Sequence, residues 1–336
     1  MTLDTWIGLG LILIAGIAVG NCMLPLKYAR RWKWENTWLI FSLVSLVLIP
    51  WLLAAATIPD LGSIYAQASA RELAIPFLYG AGWGIAQVLF GLSIVRLGMA
   101  LGYAIIIGLG AMGGTLVPLI AQHPEVLASR KGLLVFLGIA IMIAGIAMCS
   151  WAGRQREKAA GIGGTRPGAS YATGVLIAVI CGLMAPMINY ALAFGQSLAQ
   201  QAIGRGVSVA NSNYAVWPVA LAGGLVANLV YSIYLLTRNR TWGNFRELRP
   251  DLFLAVLMGV LWMGSVAIYG MAAGYIGALG TSVGWGIYQV IMILAANLSG
   301  VMTGEWQGAG RKPAYALGSG LVLLAAAVVV MALVNR

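Results

Sequence analysis

The stretch LGMALGYAIIIGLGAMGGTLVPLI, residues 97–120, decides the fold class, because it runs for 24 residues without a charged side chain. A helix rises about 1.5 Å per residue, so this stretch is long enough to cross a hydrocarbon core about 30 Å thick. Its apolar residues are continuous and do not alternate with polar ones, which excludes a strand of a membrane β-barrel. The stretch therefore predicts a transmembrane helix.

The rest of the chain has the same character. Of its 336 residues, 61% are hydrophobic and only 9% are charged, and the mean hydropathy is +0.90. A soluble domain has about 25% charged residues, so lipid must be the solvent for most of this chain. We predict an all-α membrane protein with ten transmembrane helices, at about residues 5–26, 37–58, 73–95, 99–121, 132–150, 173–197, 214–237, 252–274, 278–303 and 313–334. The first is read as a retained span, because no basic region precedes it.

The basic residues predict the orientation. The chain has 20 Lys and Arg residues. If both termini lie outside, only five of these are outside, and the remaining fifteen lie in inner loops; the five are Arg71, Arg130, Lys131, Arg205 and Arg336. Cytoplasmic loops carry such an excess, so we predict periplasmic termini. This bias also accounts for the net charge of +11 without a nucleic-acid partner.

The chain contains a candidate internal repeat. Gly80, Trp83, Gly91 and Gly98 in the third span recur at the same spacing as Gly259, Trp262, Gly270 and Gly277 in the eighth. The longest polar stretch, residues 152–172, separates five spans from five spans. We therefore predict an inverted-topology repeat of two five-helix halves, residues 1–151 and 173–336, joined by a cytoplasmic linker at 152–172. In secondary transporters of this kind the substrate site lies near the midplane between the repeats.

Neutral polar and aromatic residues occupy the predicted midplane, whereas all nine acids lie in loops or at span ends. A buried amide must be paired or meet water, so these side chains should face the interior of the bundle. Amides can bind sugar hydroxyls, and aromatic rings can stack on the C–H face of a pyranose. The candidate lining consists of Trp83, Gln87, Asn189, Trp262, Trp285 and Gln289. For each of them, interhelical hydrogen bonding or packing is the alternative.

Several function classes lose support from the same residues. A multidrug cation exporter usually needs a buried carboxylate, and none is present at membrane depth. There are no paired acids at that depth, no His/Cys cluster, no nucleophile motif and no phosphate loop, which argues against an enzyme. The three cysteines are far apart and lack metal-ligand spacing. We therefore expect no cofactor and no metal.

Three segments carry a family resemblance: LPLKYARRWKWENTW at 24–38, GEWQGAGRKP at 304–313, and the opening stretch at 97–120. Together they resemble the L-rhamnose–proton symporter family, within the drug/metabolite transporter superfamily, and the likeness covers essentially the whole chain. The resemblance implies ten helices, a bacterial inner membrane, and uptake of L-rhamnose with protons. It also singles out two cytoplasmic motifs: Lys27, Trp32, Trp34 and Glu35 in the first, and Glu305, Trp306, Gly310, Arg311 and Pro313 in the second.

One departure concerns the proton. A proton symporter needs a group that changes charge, and we would expect a carboxylate in the ninth span near Thr281 and Ser282, where there is none. The remaining candidates lie at the mouths of the path: Glu35, Glu305, Glu72 and His123. We expect Glu35 and Glu305 to pair with Lys27, Arg30, Arg31 or Arg311 in an inner gate or topology clamp; plain headgroup anchoring is the alternative.

The leading hypothesis is a secondary active transporter that imports L-rhamnose or a related neutral sugar, with protons, by alternating access. An uncoupled facilitator and an exporter of another small metabolite are the transport alternatives. A membrane sensor that binds sugar without moving it is the alternative from another class. The expected partners are a sugar, protons and the lipid bilayer.

Overall fold

The computed structural model describes residues 2–159, 161 and 171–335. Within these residues the chain is helical and contains no strand. Ten of its helical segments are long and apolar enough to cross a membrane, as predicted. We number them spans 1 to 10: Leu3–Tyr28, Trp34–Thr57, Ala70–Leu97, Met99–Gln122, Arg130–Ala159, Tyr171–Ile203, Val209–Arg238, Asp251–Leu279, Val283–Met302 and Arg311–Ala332. Short helices Leu61–Gln67 and Pro124–Leu127 lie between spans, and 3₁₀ turns form at Trp242–Arg246 and Leu333–Asn335.

Five boundaries differ from the prediction by five residues or more: the ends of spans 5, 6 and 8 and the starts of spans 7 and 9. Span 5 remains helical to Ala159, through the first residues of the predicted linker; residues 160 and 162–170 of that linker lie outside the described residues. Span 9 begins at Val283 and not at 278, because Gly277 adopts a φ of 78° and starts a tight turn before the helix. Hydropathy could not show the end of span 5 or the start of span 9, because residues 152–159 are polar although they are helical, and residues 278–282 carry no charge although they precede the helix.

Three spans are interrupted. Span 2 contains a π-helical turn at Val44–Leu48. Span 6 breaks at Ala185 and Pro186, where proline cannot continue the hydrogen-bond ladder, and again at Gly195. Span 7 begins with a short helix and a 3₁₀ turn at Asn213–Ala215 before its long helix, Trp217–Arg238. Irregular backbone at membrane depth is tolerated where it is covered by protein or lines a cavity.

Helix packing relates the two halves of the chain. Span 3 packs against span 7, and span 2 against span 8; span 1 packs against spans 8 and 9, and span 6 against spans 3 and 4. When span 1 is counted after span 10, a shift of five spans turns each of these pairs into another one. The pair of spans 3 and 7 becomes that of spans 8 and 2, and the pairs of span 1 with spans 8 and 9 become those of span 6 with spans 3 and 4. Gly98 and Gly277, which the sequence repeat aligns, both adopt positive φ, at 81° and 78°. This is the packing that a repeat of five spans requires, while the inverted symmetry stays a prediction.

The outer surface of the bundle is apolar. Large side chains such as Leu78, Leu133 and Val230 are about two-thirds exposed and point away from the bundle. Lipid tails are the solvent that such a surface requires. Because the number of spans is even, both termini lie on one side of the bundle, which we call the terminal side. The opposite side carries the loops between spans 1 and 2, 7 and 8, and 9 and 10, and we call it the basic side.

Candidate functional site

Five of the six predicted lining residues are nearly inaccessible. The exposed fraction is 6% for Trp83, 7% for Trp262, 6% for Trp285, 7% for Gln289 and 0% for Asn189, and Gln87 is half-buried. They lie inside the bundle, as the cost of placing polar groups against lipid requires. The structure places four of them in two packed groups, whereas Gln87 and Gln289 belong to neither.

Trp83 and Trp262 form the first group. Their rings stack with centroids 5.1 Å apart at 26°, and Phe41 packs edge-on against Trp262 at 6.2 Å. Gly80 lets span 3 pack closely against span 7 beside these rings, since a side chain there would overlap the carbonyl oxygen of Ala220. The two rings come from equivalent positions of the sequence repeat. They therefore close the middle of the bundle between spans 3 and 8.

Asn189 is the centre of the second group. Its Nδ2 donates to the carbonyl oxygens of Gly114 at 3.0 Å and Thr281 at 2.7 Å, and its Oδ1 accepts from the Tyr269 hydroxyl at 2.6 Å. Both donor hydrogens of the amide are thus used. The side chain ties spans 4, 6 and 8 to the turn before span 9, directly after the proline break of span 6. Interhelical hydrogen bonding accounts for its burial without a ligand.

Trp285 belongs to the same group. Its Nε1 donates to the Gly110 carbonyl oxygen at 3.2 Å, and its ring meets that of Tyr269 edge-on at 5.6 Å. Tyr269 stacks in turn on Tyr288 at 4.9 Å. The Ser265 hydroxyl donates to the carbonyl oxygen of Ala15 at 2.6 Å, so the Tyr288 hydroxyl, 2.9 Å away, donates to Ser265. A continuous aromatic and hydrogen-bonded layer therefore crosses spans 1, 6, 8 and 9.

Gln87 and Gln289 differ from Asn189. Each follows a predicted tryptophan by four residues, and neither side chain makes a hydrogen bond to any residue that the structure describes. Their amides retain their full capacity to donate to and accept from a hydroxyl. Among the predicted amides they are the ones left available to a ligand.

A polar cavity opens on the terminal side. It has a volume of about 280 Å³ and lies among spans 4, 6, 7 and 8 and the turn before span 9. His123 lines it, with Nδ1 3.3 Å from Oε1 of Glu125. The other polar side chains of its wall are Gln122, Gln196, Gln200, Ser212, Asn213 and Thr281. Sequence reasoning missed these residues, because glutamines at span ends look like ordinary loop residues; the run QSLAQQ at 196–201 was the available signal.

The basic side carries an ion cluster, which we define as Lys27, Arg156 and Glu305. The Glu305 carboxylate pairs with Lys27 and with Nη1 of Arg156 at 3.1 Å, and the Arg156 guanidinium lies 5.1 Å from the ring centre of Trp306. The cluster joins spans 1 and 5 to the loop before span 10. Lys27 was an expected partner, whereas Arg156 lies in the segment predicted to be a linker.

The ion cluster fixes the charge of Glu305. Partial burial by itself would raise the pKa of this carboxyl, but hydrogen bonds and charge from Lys27 and Arg156 outweigh burial and lower its pKa from the ordinary value of 4.5. An opposite charge within a few ångströms favours the ionised form. Glu305 therefore remains a carboxylate at neutral pH in this conformation.

Glu35 has different partners from those expected. It is 5% exposed and accepts hydrogen bonds from Nδ2 of Asn239 at 3.0 Å and from the Thr241 hydroxyl at 2.8 Å, both in the loop after span 7. Its predicted pairing with Lys27 or the nearby arginines is thus replaced by two neutral donors. Asp251 holds the same two loops together, since it accepts from three successive backbone N–H groups, those of Arg30, Arg31 and Trp32.

Glu72 caps a helix. Its carboxylate accepts from the backbone N–H of Ser69 at 2.8 Å and from the Ser69 hydroxyl at 2.9 Å, and the Glu72 N–H donates back to that hydroxyl. This is the capping box of span 3, which satisfies backbone donors at a helix start. The geometry gives Glu72 a structural role on the terminal side.

Within residues 2–159, 161 and 171–335, no group of three or more His, Cys, Asp or Glu side chains is arranged to hold a metal ion. The three cysteines are buried and unpaired, in spans 1, 5 and 6. The groups described above are hydrogen-bonding amides, aromatic rings and ion pairs.

Comparison with known proteins agrees with this geometry. A family model described as L-rhamnose-proton symport protein (RhaT) matches residues 3–335. A relative named L-rhamnose-proton symporter, from Mannheimia succiniciproducens, is 30% identical over 324 residues, which are 93% of each chain. Relatives of the same name from Salmonella paratyphi A and Klebsiella pneumoniae are each 28% identical over 321 residues, again 93% of each chain.

One solved structure shares the fold. It is described only as the crystal structure of a protein, and it aligns with a TM-score of 0.56 at 15% identity, covering 99% of this chain and 97% of the other. At that identity the likeness concerns the arrangement of helices alone.

Proposed function

Because the chain belongs to the L-rhamnose-proton symport protein family, we propose that it carries L-rhamnose together with protons into the cell by alternating access. The match over residues 3–335 is the observation that carries this proposal. The family consists of symporters, so the chain is a multi-pass membrane transporter and not an enzyme. This proposal argues against the three alternatives: an uncoupled facilitator, an exporter of another small metabolite, and a sensor that binds sugar without moving it.

The orientation is part of the proposal. Fifteen of the 20 basic residues fall on the basic side when the predicted spans are laid out, which favours a cytoplasmic basic side and periplasmic termini. In a bacterial inner membrane the cavity of the terminal side then faces the periplasm, from which sugar arrives. The ion cluster faces the cytoplasm and closes the exit.

The sugar site lies at the midplane in this proposal, between the two groups of predicted residues. Trp83 and Trp262 separate to admit the pyranose, whose apolar face replaces the ring–ring contact, and Gln87 and Gln289 bind its hydroxyls. Asn189 and Trp285 line the same space and hold the helices around it. The support is that Gln87 and Gln289 have no protein partner among the described residues, whereas the Asn189 amide has three.

Substitution of Gln289 tests this site. We expect Gln289→Leu to raise the KM for L-rhamnose about tenfold, because a buried hydroxyl of the sugar loses its partner. Asn297→Leu is the matched control, since Asn297 lies two turns further along span 9 and donates to its own helix, at the Ile293 carbonyl. A KM at the wild-type value in Gln289→Leu would move the site away from span 9.

His123 is the proton-coupling group in our proposal, and Glu305 is a gate. Of the four predicted candidates, Glu72 caps a helix, Glu35 is held by neutral donors, and Glu305 is held in its charged form by two cations. His123 alone among them lines the cavity of the terminal side. Histidine is also the side chain whose charge changes most readily near neutral pH.

Uptake of labelled L-rhamnose into proteoliposomes, with and without an inward proton gradient and against empty liposomes, tests the function. Gradient-driven accumulation above equilibrium is the expected result. Entry only to equilibrium would favour a facilitator, and accumulation in everted vesicles an exporter. Binding without movement would favour a sensor, and each of these outcomes would overturn the proposed symport.

A further inference from the structure

The cavity of the terminal side has an unusual wall for the mouth of a basic protein. Half of its fourteen lining residues are polar, and none of them is Asp, Glu, Lys or Arg. Its volume of about 280 Å³ lies close to the lower end of the range of about 300–1,000 Å³ typical of small-molecule sites. No carboxylate, ammonium or guanidinium group lines the cavity, and amides and hydroxyls outnumber its one imidazole, so the cavity suits a neutral, hydroxyl-rich molecule.

Two glutamine amides of the wall are held by the protein through their nitrogen atoms. Nε2 of Gln122 donates to the Ala193 carbonyl oxygen at 2.7 Å, and Nε2 of Gln196 donates to the Leu192 carbonyl oxygen at 2.8 Å. Since a backbone carbonyl only accepts, these bonds establish which end of each amide is the nitrogen. The Oε1 atoms of both glutamines have no donor among the described residues, and they remain as oriented acceptors for hydroxyl groups.

Two further amides complete the wall. Asn213 donates to the Gly270 carbonyl oxygen at 2.8 Å and accepts from Gln196 at 3.1 Å, so it holds Gln196 in place. Gln200 is exposed, lines the cavity and makes no hydrogen bond to a described residue, so its whole amide is available. The cavity thus offers two fixed acceptors and one adaptable amide, a combination that matches the several hydroxyls of a sugar.

The floor of the cavity connects it to the midplane. Thr281 lines the cavity, and its carbonyl oxygen accepts from Asn189, the residue that ties spans 4, 6 and 8 together. The helix breaks at Gly195 and at Asn213–Ala215 lie beside the same cavity. Interrupted helices at corresponding places in transporters mark substrate sites.

We propose that this cavity is a first binding site for the neutral sugar, separate from the midplane site and occupied before the sugar moves inward. The identity of the sugar as L-rhamnose rests on the proposed function, whereas the neutral, hydroxyl-rich class rests on the wall itself. Gln122, Gln196 and Gln200 bind the hydroxyls, and Asn213 positions Gln196.

The direct test uses Gln200→Leu, because Gln200 has no protein partner to lose. We expect the concentration of L-rhamnose for half-maximal initial uptake to rise about fivefold, as the loss of one net hydrogen bond predicts, with little change in maximal rate. Gln201→Leu is the matched control, one residue further in the same helix and not part of the wall. If both Gln200→Leu and Gln122→Leu keep the wild-type value, the proposal is overturned.

A second measurement reports on the cavity without transport. Ala278 is exposed in the wall, and the native cysteines are buried, so Ala278→Cys provides a specific site for a maleimide reagent. L-Rhamnose should slow this labelling in the purified full chain, and Gln200→Leu should raise the half-protecting concentration about fivefold. Protection by a sugar bound only at the midplane would be insensitive to Gln200→Leu and would overturn the proposal.

Failure of the L-rhamnose assignment can be distinguished from failure of the cavity as a sugar site. If wild-type protein neither binds nor transports L-rhamnose, a panel of other neutral sugars is tested for protection of Ala278→Cys. Protection by one of them, weakened in Gln200→Leu, supports the cavity as a sugar site while the substrate assignment fails. If no neutral sugar protects, the cavity is not such a site.

Discussion

The two mouths of the bundle are built from different chemistry. The terminal side has a cavity walled by neutral amides and one histidine, whereas the basic side carries Glu305 between two cations. This difference fits the proposed roles, in which the terminal side recognises a neutral molecule and the basic side holds the path shut.

Neutral and charged contacts also respond differently to motion. An amide exchanges one hydroxyl partner for another at little cost, so the amide wall can release a ligand easily. An ion cluster that joins spans 1 and 5 to the loop before span 10 must break as a unit before those spans separate. In the proposed mechanism, the present conformation therefore has its terminal side open and its basic side shut.

The largest expected effect comes from removing the charge of the ion cluster. Glu305→Gln leaves Lys27 and Arg156 without their shared anion, so the basic side opens and the conformation that accepts sugar from the terminal side becomes less populated. Because the side chains are partly exposed, solvent screening limits the loss, and we expect maximal uptake to fall about tenfold. Initial uptake rates in proteoliposomes measure this.

Two comparisons make the Glu305 result specific. Glu247→Gln removes another ion pair on the same side, with Arg31, and should leave uptake near wild type. The exchange Lys27→Glu with Glu305→Lys should restore part of the rate.

The pH dependence tests the same gate. Because the pKa of Glu305 is lowered from its ordinary value of 4.5, the carboxylate keeps its ion pairs above pH 4.5 and loses them only as the pH falls below that value. Closure of the basic side should therefore not change between about pH 5 and 8. Full uptake in Glu305→Gln would contradict the gate.

The second effect concerns the histidine of the opposite mouth. A gradient of one pH unit can concentrate a sugar about tenfold in one-to-one symport. We expect His123→Gln to reduce accumulation to equilibrium while exchange of internal for external sugar continues, since exchange requires no net proton movement. Glu125→Gln is the control, because it changes the carboxylate beside His123 and keeps the imidazole itself. Undiminished accumulation in His123→Gln would exclude His123 from coupling.

The smallest effect is expected at Glu72, although it lies on the same side as His123. Because its carboxylate caps span 3, Glu72→Gln should lower the melting temperature by about 1–2 °C and leave the response to a proton gradient unchanged. Ser69→Ala should reproduce the thermal effect, since it removes the reciprocal partner. Loss of gradient-driven accumulation in Glu72→Gln would return this residue to the list of coupling candidates.

The sequence predicted more of the fold than of the site. Long runs without charge are a local property, so all ten spans could be placed, and the repeat placed Trp83 and Trp262 at equivalent positions. That these two rings stack on each other depends on how spans 3 and 8 rotate, which hydropathy does not contain. The same rotation decides that Asn189 meets three partners while Gln87 meets none.

What the sequence by itself determined is the solvent, the number of spans, the family and the absence of a charge at membrane depth, because each follows from composition and local pattern. Only the tertiary structure decided which polar groups remain free and which acids are committed. It paired Glu305 with Arg156 across 149 residues and gathered Gln122, Gln196 and Asn213 around one cavity. The physical reason is that hydrogen bonds and ion pairs depend on distances between helices, and those distances are set by packing along the whole chain.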